Sequence, residues 1–540
     1  MKKKIQILLA TLLLVGATSC EDFLQKDPPS SPSQSIFWQK KSDFESALAG
    51  CYSQMYASEF SQIVPCYDGL SDNAIVQHEE GTYGNAQTIA QGDLSPSKGG
   101  FVSEVYKNAY KGIARIHILM EQLEAYKGGD ISADERKFMF AQCKALRGYY
   151  YSWLYMCYKE VPVVTTTLNM ENMYQPKATR AQVLERIMTD YNEAINELPD
   201  KLYTDAQTSG RFTVSGVKAL KARLMMFDAY DASGAANVAK MQEIITLLQT
   251  ISGYSLADRT RDNFMSEKQA SSPEIMFSVR YLRPNLTNST DLYYGSWAVL
   301  EVTQDMVNAF ECTDGKKWGE SPLTVRPDEN ILYSNTSTKE QKVAEREKIF
   351  KNRDRRLYES VNHSHRMNFP DPGFENFTLD LGSGNVPQTG YSTLKLIQPT
   401  KEEIGYSTVS DADIIIMRYA HVLLMIAEAE NEANGPTTIA LNAINEVRTR
   451  SGQPKIDAGI SKDELRERIR NEWRVETCFE GLRYFQLKQW KLMEKLVNGQ
   501  EDPARKGYIK VYKPEFEFFP IPQSEIDKAG GVLVQDPAYK

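Results

Sequence analysis

The sequence has no excess of basic residues and very few histidines. Its 540 residues include 63 Lys and Arg against 71 Asp and Glu, which gives a formal net charge of −8, and only 5 residues are His. Proteins that bind nucleic acid concentrate Lys and Arg where they neutralise phosphates. The charge balance therefore argues against a nucleic-acid partner, and the scarcity of histidine limits the metal sites that the chain can build.

The sequence also lacks the short motifs of common enzyme chemistries. It contains no glycine-rich phosphate loop, no dinucleotide-binding fingerprint, no G-x-S-x-G nucleophile turn and no C-x-x-C pair. His363 and His365 would place two imidazoles on one face of a strand, but no third ligand accompanies them. We favour a solvated loop over a metal site there, and we expect no metal, no cofactor and no catalysis.

Long apolar runs are absent except at the N-terminus. Basic residues 2–4 precede the apolar run 5–15, and small residues lead from there to Cys20. A helix of that run is about 16 Å long, too short for the ~30 Å core of a bilayer. We predict a lipoprotein signal peptide over residues 1–19, an acylated Cys20, and a tether over residues 20–34. An ordinary signal peptide that leaves Cys20 unmodified is the alternative.

Cysteines are few, and none is spaced as a structural zinc ligand. After the signal region the sequence contains Cys51, Cys66, Cys143, Cys157, Cys312 and Cys478. Disulfides are permitted outside the cytoplasm, and Cys51 and Cys66 are near enough in sequence to form one. Cys143 and Cys157 lie about four turns apart on one predicted helix and cannot reach each other. A disulfide between Cys51 and Cys66 therefore stays possible, and we expect the other cysteines to be buried free thiols.

Most of the chain shows the apolar spacing of amphipathic helices joined by short turns, which is typical of antiparallel helical hairpins. Ser42 with Glu45, and Ser132 with Glu135, have the spacing of capping boxes. Small residues such as Gly148 recur where helices must approach closely, so we predict tetratricopeptide-like helix pairs. The predicted helices cover residues 42–56, 105–123, 132–158, 180–198, 214–232, 237–251, 418–434, 437–452 and 461–497.

The middle of the chain has a different character. Long helical patterns stop there and Gly, Pro, Asn, Ser and Thr become frequent, although residues 274–281 and 414–417 read as strands and 339–351 as a helix. An irregular lobe inserted in a helical scaffold is a common place for binding loops. The predicted organisation is a helical scaffold at residues 35–251, an irregular ligand-binding lobe at 252–415, and a C-terminal helical scaffold with its tail at 416–540.

Two glutamates fall on the apolar face of the last long predicted helix. Glu472 and Glu476 stand there one turn apart. Buried carboxylates are rarely left unpaired, so we favour an ion-pair network between helices, with Arg418, Arg474 and Arg483 as candidate partners. A catalytic pair of carboxylates, as in a glycoside hydrolase, is the alternative.

Segments spread over nearly the whole mature chain match one family pattern. The most specific is I-N-E-V-R-T-R-S-G at residues 444–452. The others are F-W at 37–38, A-L-A-G-C-Y at 47–52, D-G-L-S-D-N at 68–73, A-L-R-G-Y-Y-Y at 145–151, A-L-K-A-R at 219–223, E-W-R-V-E at 472–476, F-E-G-L-R at 479–483 and F-P-I-P at 519–522. In this order they resemble the SusD/RagB family of outer-membrane nutrient-binding lipoproteins of Bacteroidota. The chain departs from that family's usual Asn, Pro and Asp at His117, Arg355 and Gln486.

The resemblance implies a mainly α superhelix of four tetratricopeptide-like helix pairs with an irregular, loop-rich lobe inserted. It also implies a non-catalytic lipoprotein, anchored in the outer membrane and facing the cell surface. Such a protein captures oligosaccharide or polysaccharide and delivers it to a SusC-like TonB-dependent transporter. Sugar rings stack their C–H faces on aromatic rings, and their hydroxyls bond polar groups. From the family's binding regions we expect Tyr83, Tyr294 and Trp297 as stacking residues, and Asn73 and Arg280 as polar partners.

The sequence is also compatible with other functions. RagB-type relatives serve peptide import, so a peptide-binding lipoprotein is the first alternative. It would recognise its ligand through strand edges or cationic groups instead of aromatic platforms. A surface glycoside hydrolase and a purely structural surface protein are the remaining alternatives.

Overall fold

The computed structural model describes residues 37–78, 81–204, 210–363, 385–398 and 408–540. The predicted signal peptide, Cys20, the tether and His365 lie outside the described residues. Within them the chain is mainly α, which confirms the predicted fold class. No helix in this part of the chain is both long enough and apolar enough to cross a membrane.

The scaffold is a succession of helices with short connections. The α-helices are α1 (Lys41–Tyr52), α2 (Ala86–Ala90), α3 (Phe101–Ala125), α4 (Ala133–Cys157), α5 (Arg180–Glu197), α6 (Val214–Phe227), α7 (Val238–Leu248), α8 (Ser266–Gln269), α9 (Gln304–Ala309), α10 (Glu329–Leu332), α11 (Lys339–Ile349), α12 (Arg355–Ser360), α13 (Tyr419–Asn434), α14 (Thr438–Arg450), α15 (Lys462–Glu476), α16 (Arg483–Gln489), α17 (Met493–Leu496) and α18 (Gln523–Lys528).

The long helices pack in the order of the chain. α3 packs on α4, α4 on α5, α5 on α6 and α6 on α7. α7 then packs on α13, which packs on α14 and α15, so the superhelix continues across the inserted lobe. This arrangement agrees with the predicted superhelix of tetratricopeptide-like pairs.

Helix starts follow local hydrogen bonding at their first turns. At α4 the predicted capping box is present: the Glu135 N–H donates to Ser132 Oγ (3.3 Å), and Glu135 Oε2 accepts from the Ser132 N–H (2.9 Å). The box predicted at Ser42 is wrong, because the N-cap of α1 is Lys40, two residues earlier. There the carboxylate of Asp43 accepts the N–H of Lys40 instead (3.1 Å).

Close helix contacts depend on small residues, as the sequence indicates. A Cβ at Gly148 would lie 2.7 Å from the ring of Tyr191, so only glycine lets α4 and α5 approach here. Next to it, Arg147 donates through Nε (3.0 Å) and Nη2 (2.8 Å) to the two carboxylate oxygens of Asp190. This buried bidentate pair fixes the two helices against each other.

The last long helix predicted, over residues 461–497, is divided into α15, α16 and α17. Phe479 (φ 63°), Gly481 (φ 72°) and Lys491 (φ 57°) adopt left-handed backbone conformations that an α-helix cannot contain. A Cβ at Gly481 would lie 2.3 Å from the carbonyl oxygen of Val64. Tertiary packing therefore overrides the helical pattern of the sequence here.

Most of the strands and several of the short helices lie in the middle of the chain, although the first strand belongs to its N-terminal part. The predicted strands and the predicted helix α11 are present. The strands are β1 (Ala74–Val76), β2 (Ile275–Val279), β3 (Leu300–Val302), β4 (Val361–Asn362), β5 (Ser392–Thr393) and β6 (Ile414–Arg418). They form a four-stranded sheet in the order β1-β3-β5-β4 and a two-stranded sheet of β2 and β6.

A network of buried charges joins the lobe to the C-terminal scaffold. Arg418, at the end of β6, is centred in it: Nη1 lies 2.7 Å from Glu274 and 2.6 Å from Glu476, and Nη2 lies 2.7 Å from Glu480. The guanidinium of Arg418 and these carboxylates are at most 3% exposed. We call the network the hub; it comprises Glu274, Arg356, Arg418, Arg448, Arg450, Glu472, Glu476 and Glu480.

The ion-pair network predicted for Glu472 and Glu476 is confirmed. Arg356 Nη1 lies 2.6 Å from Glu472 and 2.9 Å from Glu476, and Arg448 Nη1 lies 3.0 Å from Glu472. Burial alone would raise the pKa of Glu476, but Arg450, Arg418 and Arg356 outweigh burial and hold it well below its usual range. Glu476 is therefore ionised at neutral pH.

Of the three predicted partner arginines, only Arg418 belongs to the hub. Arg483 Nη2 lies 2.8 Å and Arg474 Nη2 lies 3.2 Å from the carboxylate of Asp72, so these two tie the C-terminal scaffold to the loop before β1. Burial would raise the pKa of Asp72, but Arg474 and Arg483 hold it well below its usual range. For Arg483 the prediction failed because residues 477–482 turn it away from the axis of α15. For Arg474 it failed because a residue two positions from both Glu472 and Glu476 lies on the opposite side of the same helix.

The disulfide that the sequence left open between Cys51 and Cys66 is absent. All six cysteines in the described residues are free and buried. Burial raises the pKa of both the Cys51 and the Cys66 thiol to about 12, so both are protonated at neutral pH. They behave as small apolar core residues.

We expect Arg418→Met to lower the free energy of unfolding by about 3–5 kcal/mol, because it leaves buried carboxylates without their cation. Urea unfolding followed by circular dichroism measures the change. Lys528→Met is the control: Lys528 is 71% exposed and pairs with Glu525 at 2.9 Å, and such surface pairs contribute about 0–1 kcal/mol. Equal losses in the two variants would contradict a structural role for the hub.

Candidate functional site

Two strands that are far apart in sequence bring the predicted binding regions together. β1 pairs with β3 in antiparallel register, with Ala74 opposite Val302 and Val76 opposite Leu300. Beyond the paired residues, the Gln77 N–H donates to the carbonyl of Val299 (2.8 Å). The loop that follows β1 therefore lies beside the segment that precedes β3.

The segment before β3 is a π-helix, Asp291–Ser296, followed directly by Trp297. The Trp297 N–H donates to the carbonyl of Leu292 (2.9 Å), which closes the wide turn. Tyr293 and Trp297 emerge side by side, with ring centroids 5.7 Å apart and planes inclined by 21°. Both residues are half-buried, so part of each borders solvent. π-Helical turns are found often at functional sites.

Two residues from the loop after β1 complete this cluster. Tyr83 meets Tyr293 edge-on at 5.2 Å and Trp297 at 6.4 Å, both at 87°. His78 Nε2 lies 3.2 Å from the carbonyl oxygen of Trp297. Tyr83 is only 2% exposed, so its ring packs against the other two rings and offers almost no surface to a ligand. We call His78, Tyr83, Tyr293 and Trp297 the aromatic platform.

A close backbone contact holds the turn that carries Tyr83. The Phe101 N–H, at the start of α3, donates to the carbonyl of Gly84 (3.0 Å). Gly84 (φ 72°) and Gly100 (φ 62°) both have left-handed backbone conformations, and a Cβ on Gly100 would lie 2.3 Å from the Gly84 carbonyl carbon. Only glycine allows this approach.

Tyr294 lies in the interior, beneath the aromatic platform. It has 0% exposure, and its hydroxyl donates to the carbonyl of Gln62 (2.7 Å) beside Cys66 Sγ (3.6 Å). Burial raises the pKa of Tyr294 well above its ordinary value. Because the ring has no free surface in this conformation, Tyr293 takes the position at which the sequence predicts Tyr294.

Asn73 is also interior, directly before the first residue of β1. It is 0% exposed; its Nδ2 donates to Asp68 Oδ1 (3.1 Å), and its Oδ1 accepts from Arg474 Nε (2.9 Å). Burial raises the pKa of Asp68 to about 7. The amide of Asn73 is thus engaged in holding the loop before β1 to α15.

Arg280 lies at the end of β2, in the two-stranded sheet, away from the sheet that carries the aromatic platform. Its side chain is 43% exposed, and Nε lies 3.6 Å from the carboxylate of Asp413. The structure therefore brings Tyr83 and Trp297 together, buries Tyr294 in the interior and Asn73 at the opposite end of β1, and leaves Arg280 on the other sheet.

Sequence reasoning did not select His78 and Tyr293. The four-residue spacing of Tyr293 and Trp297 is a signal that both rings lie on one face of a helical turn. It distinguishes Tyr293 from its neighbour Tyr294, which points the other way. His78 carries no such signal, because its place depends on the pairing of β1 with β3.

The described residues contain no group of three or more His, Cys, Asp or Glu side chains arranged to hold a metal ion. His363 packs against Phe350 with ring centroids 4.3 Å apart, and burial lowers its pKa to about 4. His363 is therefore a neutral, packed side chain, which differs from the solvated loop that the sequence favours.

Comparisons with known proteins agree on one family. A family model described as "SusD family" matches residues 268–539, and one described as "Starch-binding associating with outer membrane" matches residues 22–226. SusD-like protein P38 of Formosa agariphila is 24% identical over 513 residues, which cover 90% of this chain and 91% of the relative.

Solved structures share the fold. A SusD-like protein from Bacteroides fragilis NCTC 9343 superposes with a TM-score of 0.73 at 22% identity, covering 94% of this chain and 99% of the other. A laminarin-binding SusD-like protein superposes with a TM-score of 0.63 at 19% identity, covering 93% of this chain and 100% of the other. At these identities the similarity establishes the fold alone.

We expect Gly100→Ala to destabilise the protein by more than about 1 kcal/mol. The new methyl group would meet the backbone of Gly84, and the alanine would have to keep the positive φ of Gly100. Thermal unfolding measures the loss. Gly50→Ala in α1 is the matched control: a Cβ there meets nothing within 4 Å, and alanine favours a helix. An unchanged unfolding temperature for Gly100→Ala would show that the turn carrying Tyr83 is not fixed as described.

Proposed function

Because the chain belongs to the SusD family, whose model matches just over half of it, we propose that it is a glycan-binding lipoprotein of the outer membrane. It captures oligosaccharide or polysaccharide at the cell surface and passes it to a SusC-like TonB-dependent transporter, without a catalytic step. The starch-binding description of the model that matches residues 22–226 supports a glycan as the ligand, and so does the laminarin-binding relative of the same fold.

The observation that carries the proposal is the geometry of Tyr293 and Trp297. Their rings lie side by side at 5.7 Å, nearly parallel, and partly exposed. The C–H faces of adjacent sugar units stack on such a pair, and the edge-on contact of Tyr83 keeps the rings in place. Peptide import would call for a strand edge or cationic groups, so the platform favours a glycan over a peptide.

Polar groups at the margin of the platform supply hydroxyl contacts. Asn385 Nδ2 donates to the carbonyl of Ser296 (3.4 Å), which places its amide beside the π-helix, and His78 lies against Trp297. We assign Asn385 and His78 to bonds with sugar hydroxyls. Arg280 stays a prediction from the sequence.

The carboxylates weighed for catalysis do not take part in this function. Glu472 and Glu476 are 1% and 0% exposed and are held by the arginines of the hub. A glycosidase needs one carboxylic acid that carries a proton, whereas the arginines around Glu476 hold the pKa of that carboxyl well below its usual range. This arrangement supports a binding protein.

We expect Trp297→Ala and Tyr293→Ala each to weaken glycan binding by about tenfold or more, which corresponds to about 1.4 kcal/mol. Calorimetry against laminari-oligosaccharides, malto-oligosaccharides and a set of peptides measures the affinity. Trp318→Ala is the matched control, since Trp318 is also half-buried and lies under Arg326 (5.6 Å), outside the platform. We expect it to bind as the wild type does.

Three outcomes would contradict this proposal. Binding of peptides and of no glycan would assign the chain to peptide import. Sugar release from any polysaccharide would make it an enzyme. Unchanged glycan affinity in both platform variants would move the site elsewhere on the protein.

The lipid anchor has a separate test. We expect Cys20→Ser to leave the protein without an acyl chain, because lipidation requires the thiol. Metabolic labelling with palmitate and fractionation of membranes measure this change. Incorporation of label into Cys20→Ser at the wild-type level would contradict acylation at this residue.

A further inference from the structure

A buried carboxyl occupies the first position of the π-helix that carries part of the aromatic platform. Asp291 begins this π-helix (Asp291–Ser296) and is 0% exposed. Tyr293 follows two residues later, and Trp297 comes directly after the last residue of the π-helix. Asp291 does not belong to the platform, and the proposed function gives it no role.

Asp291 joins the π-helix to Gln398, whose side chain is itself fixed. Oδ1 of Asp291 accepts the Gln398 N–H (2.8 Å). Gln398 is 4% exposed; its Nε2 donates to the carbonyl of Phe264 (2.6 Å), and its Oε1 accepts the Ser266 N–H (2.8 Å). The first turn of the π-helix therefore has a rigid neighbour, and the carboxyl of Asp291 makes the contact with it.

The other carboxyl oxygen of Asp291 has no partner. Oδ2 is buried and forms no hydrogen bond. Within the part of the chain that the structure describes, no Lys, Arg or His forms an ion pair with Asp291. A buried carboxylate is favourable only when cations or several donors surround it. With one donor for its two oxygens, this carboxyl favours the protonated form.

The charged neighbours of Asp291 do not cancel the effect of burial. Burial raises the pKa of Asp291 from its ordinary value of 3.8 to about 7, and Asp411 adds to the rise. The Gln398 N–H, Arg283 and the hydroxyl of Ser410 lower the pKa by less. The side chain of Arg283 is 48% exposed and pairs with Asp411 at 3.4 Å. Asp291 therefore changes its charge near neutral pH.

Other titratable groups on the elements around the π-helix are engaged elsewhere or neutral. Those in the described residues include Lys395, which pairs with Glu480 (2.7 Å), Arg261, which donates to the carbonyl of Ile397 (2.9 Å), Asp413, which accepts the Tyr281 N–H (2.9 Å), and Tyr294 and Cys66, whose pKa values are raised by burial. Arg283 and Asp411 are therefore the charges through which the titration of Asp291 can be shifted.

We propose that Asp291 is a positioning residue of the aromatic platform: its protonated carboxyl keeps the π-helix closed, and its ionisation opens the π-helix and releases Tyr293 and Trp297. The carboxylate gains hydration when the π-helix opens, so opening is linked to the loss of one proton. The consequence for ligands rests on the proposed function: glycan binding weakens as the pH rises.

The direction of the effect follows from the two pKa values of Asp291. In an open, solvated π-helix the carboxyl ionises near its ordinary 3.8, and in the closed form it ionises at about 7. The closed form therefore has its full stability below about pH 4, loses it progressively as the pH rises to about 7, and loses no more above that. Since one proton leaves per opening, the opening constant rises about tenfold per pH unit within this window.

Hydrogen exchange measures the opening directly and needs no ligand. The reporters are the N–H groups of Tyr293 and Trp297, which donate to the carbonyls of Ser289 (2.8 Å) and Leu292 (2.9 Å). The full-length protein is compared with Asp291→Asn, in which the side chain keeps an acceptor oxygen and carries no charge at any pH. Taking the ratio of the two rates cancels the intrinsic pH dependence of exchange.

We expect this ratio, wild type over Asp291→Asn, to rise about tenfold per pH unit up to about pH 7 and then to level off. A ratio that stays constant with pH would overturn the proposal. Asp68→Asn is the matched control: Asp68 is also 0% exposed with a pKa of about 7, but it lies outside the π-helix. Its platform amides should respond as in the wild type, and loss of the rise in this variant would also overturn the proposal.

Two partly exposed neighbours should move the upper end of the window in opposite directions. Arg283→Met removes a cation that lowers the pKa of Asp291, so the rise should continue to higher pH. Asp411→Asn removes an anion that raises this pKa, so the rise should end at lower pH. Shifts of both variants in the same direction would contradict the role given to Asp291.

Calorimetry with laminari-oligosaccharides, which are neutral, connects the opening to binding. We expect the wild type to bind more weakly at pH 8 than at pH 5, and Asp291→Asn to bind equally at both. His78→Gln removes the imidazole of the platform and should behave as the wild type; a pH-independent affinity there would overturn the proposal. If no glycan binds at either pH, the proposed function fails, and the exchange ratio still decides whether Asp291 positions the platform.

Discussion

The buried guanidinium of Arg418 is the contact on which the rest of this architecture depends. It stands where β6 ends and α13 begins, so it belongs at once to the lobe and to the superhelix. Its partners come from the residue before β2, from α15 and from the turn after α15. Since charge buried at this depth is favourable only with near-complete pairing, these elements have one arrangement that satisfies all of them.

The aromatic platform is positioned by a second set of buried ion pairs, outside the hub. Asp72, just before β1, is held by Arg474 and Arg483 of the C-terminal scaffold, and β1 in turn aligns β3 and the π-helix. The loop with Tyr83 and the segment with Trp297 therefore occupy fixed places although neither belongs to a long element. A rigid scaffold that presents aromatic rings loses little conformational entropy when a ligand binds.

Much of the fold could be predicted from the sequence because it follows from periodicity. The long helices, the separate strands β2 and β6, and the burial of Glu472 and Glu476 all show in the spacing of apolar residues, whereas the pairing of the two strands does not. The breaks near Phe479 and Lys491 could not be predicted, because non-glycine residues take positive φ only under tertiary constraint. Within the candidate site, the sequence predicts Tyr83 and Trp297, which the structure brings together, but it does not show that Tyr293 lies beside Trp297 while Tyr294 is interior, because that depends on the exact turn of the π-helix.

The pairing of β2 with β6 has a consequence for the order in which the chain folds. Residues 275–279 are synthesised well before residues 414–418, and until the later strand arrives, the earlier one exposes apolar side chains and unpaired backbone groups. The N-terminal helices have neighbours next to them in sequence and can pack early. The middle of the chain cannot complete its sheet until residues 414–418 have been synthesised. It is therefore the segment most exposed to misfolding and to aggregation while the protein is being made.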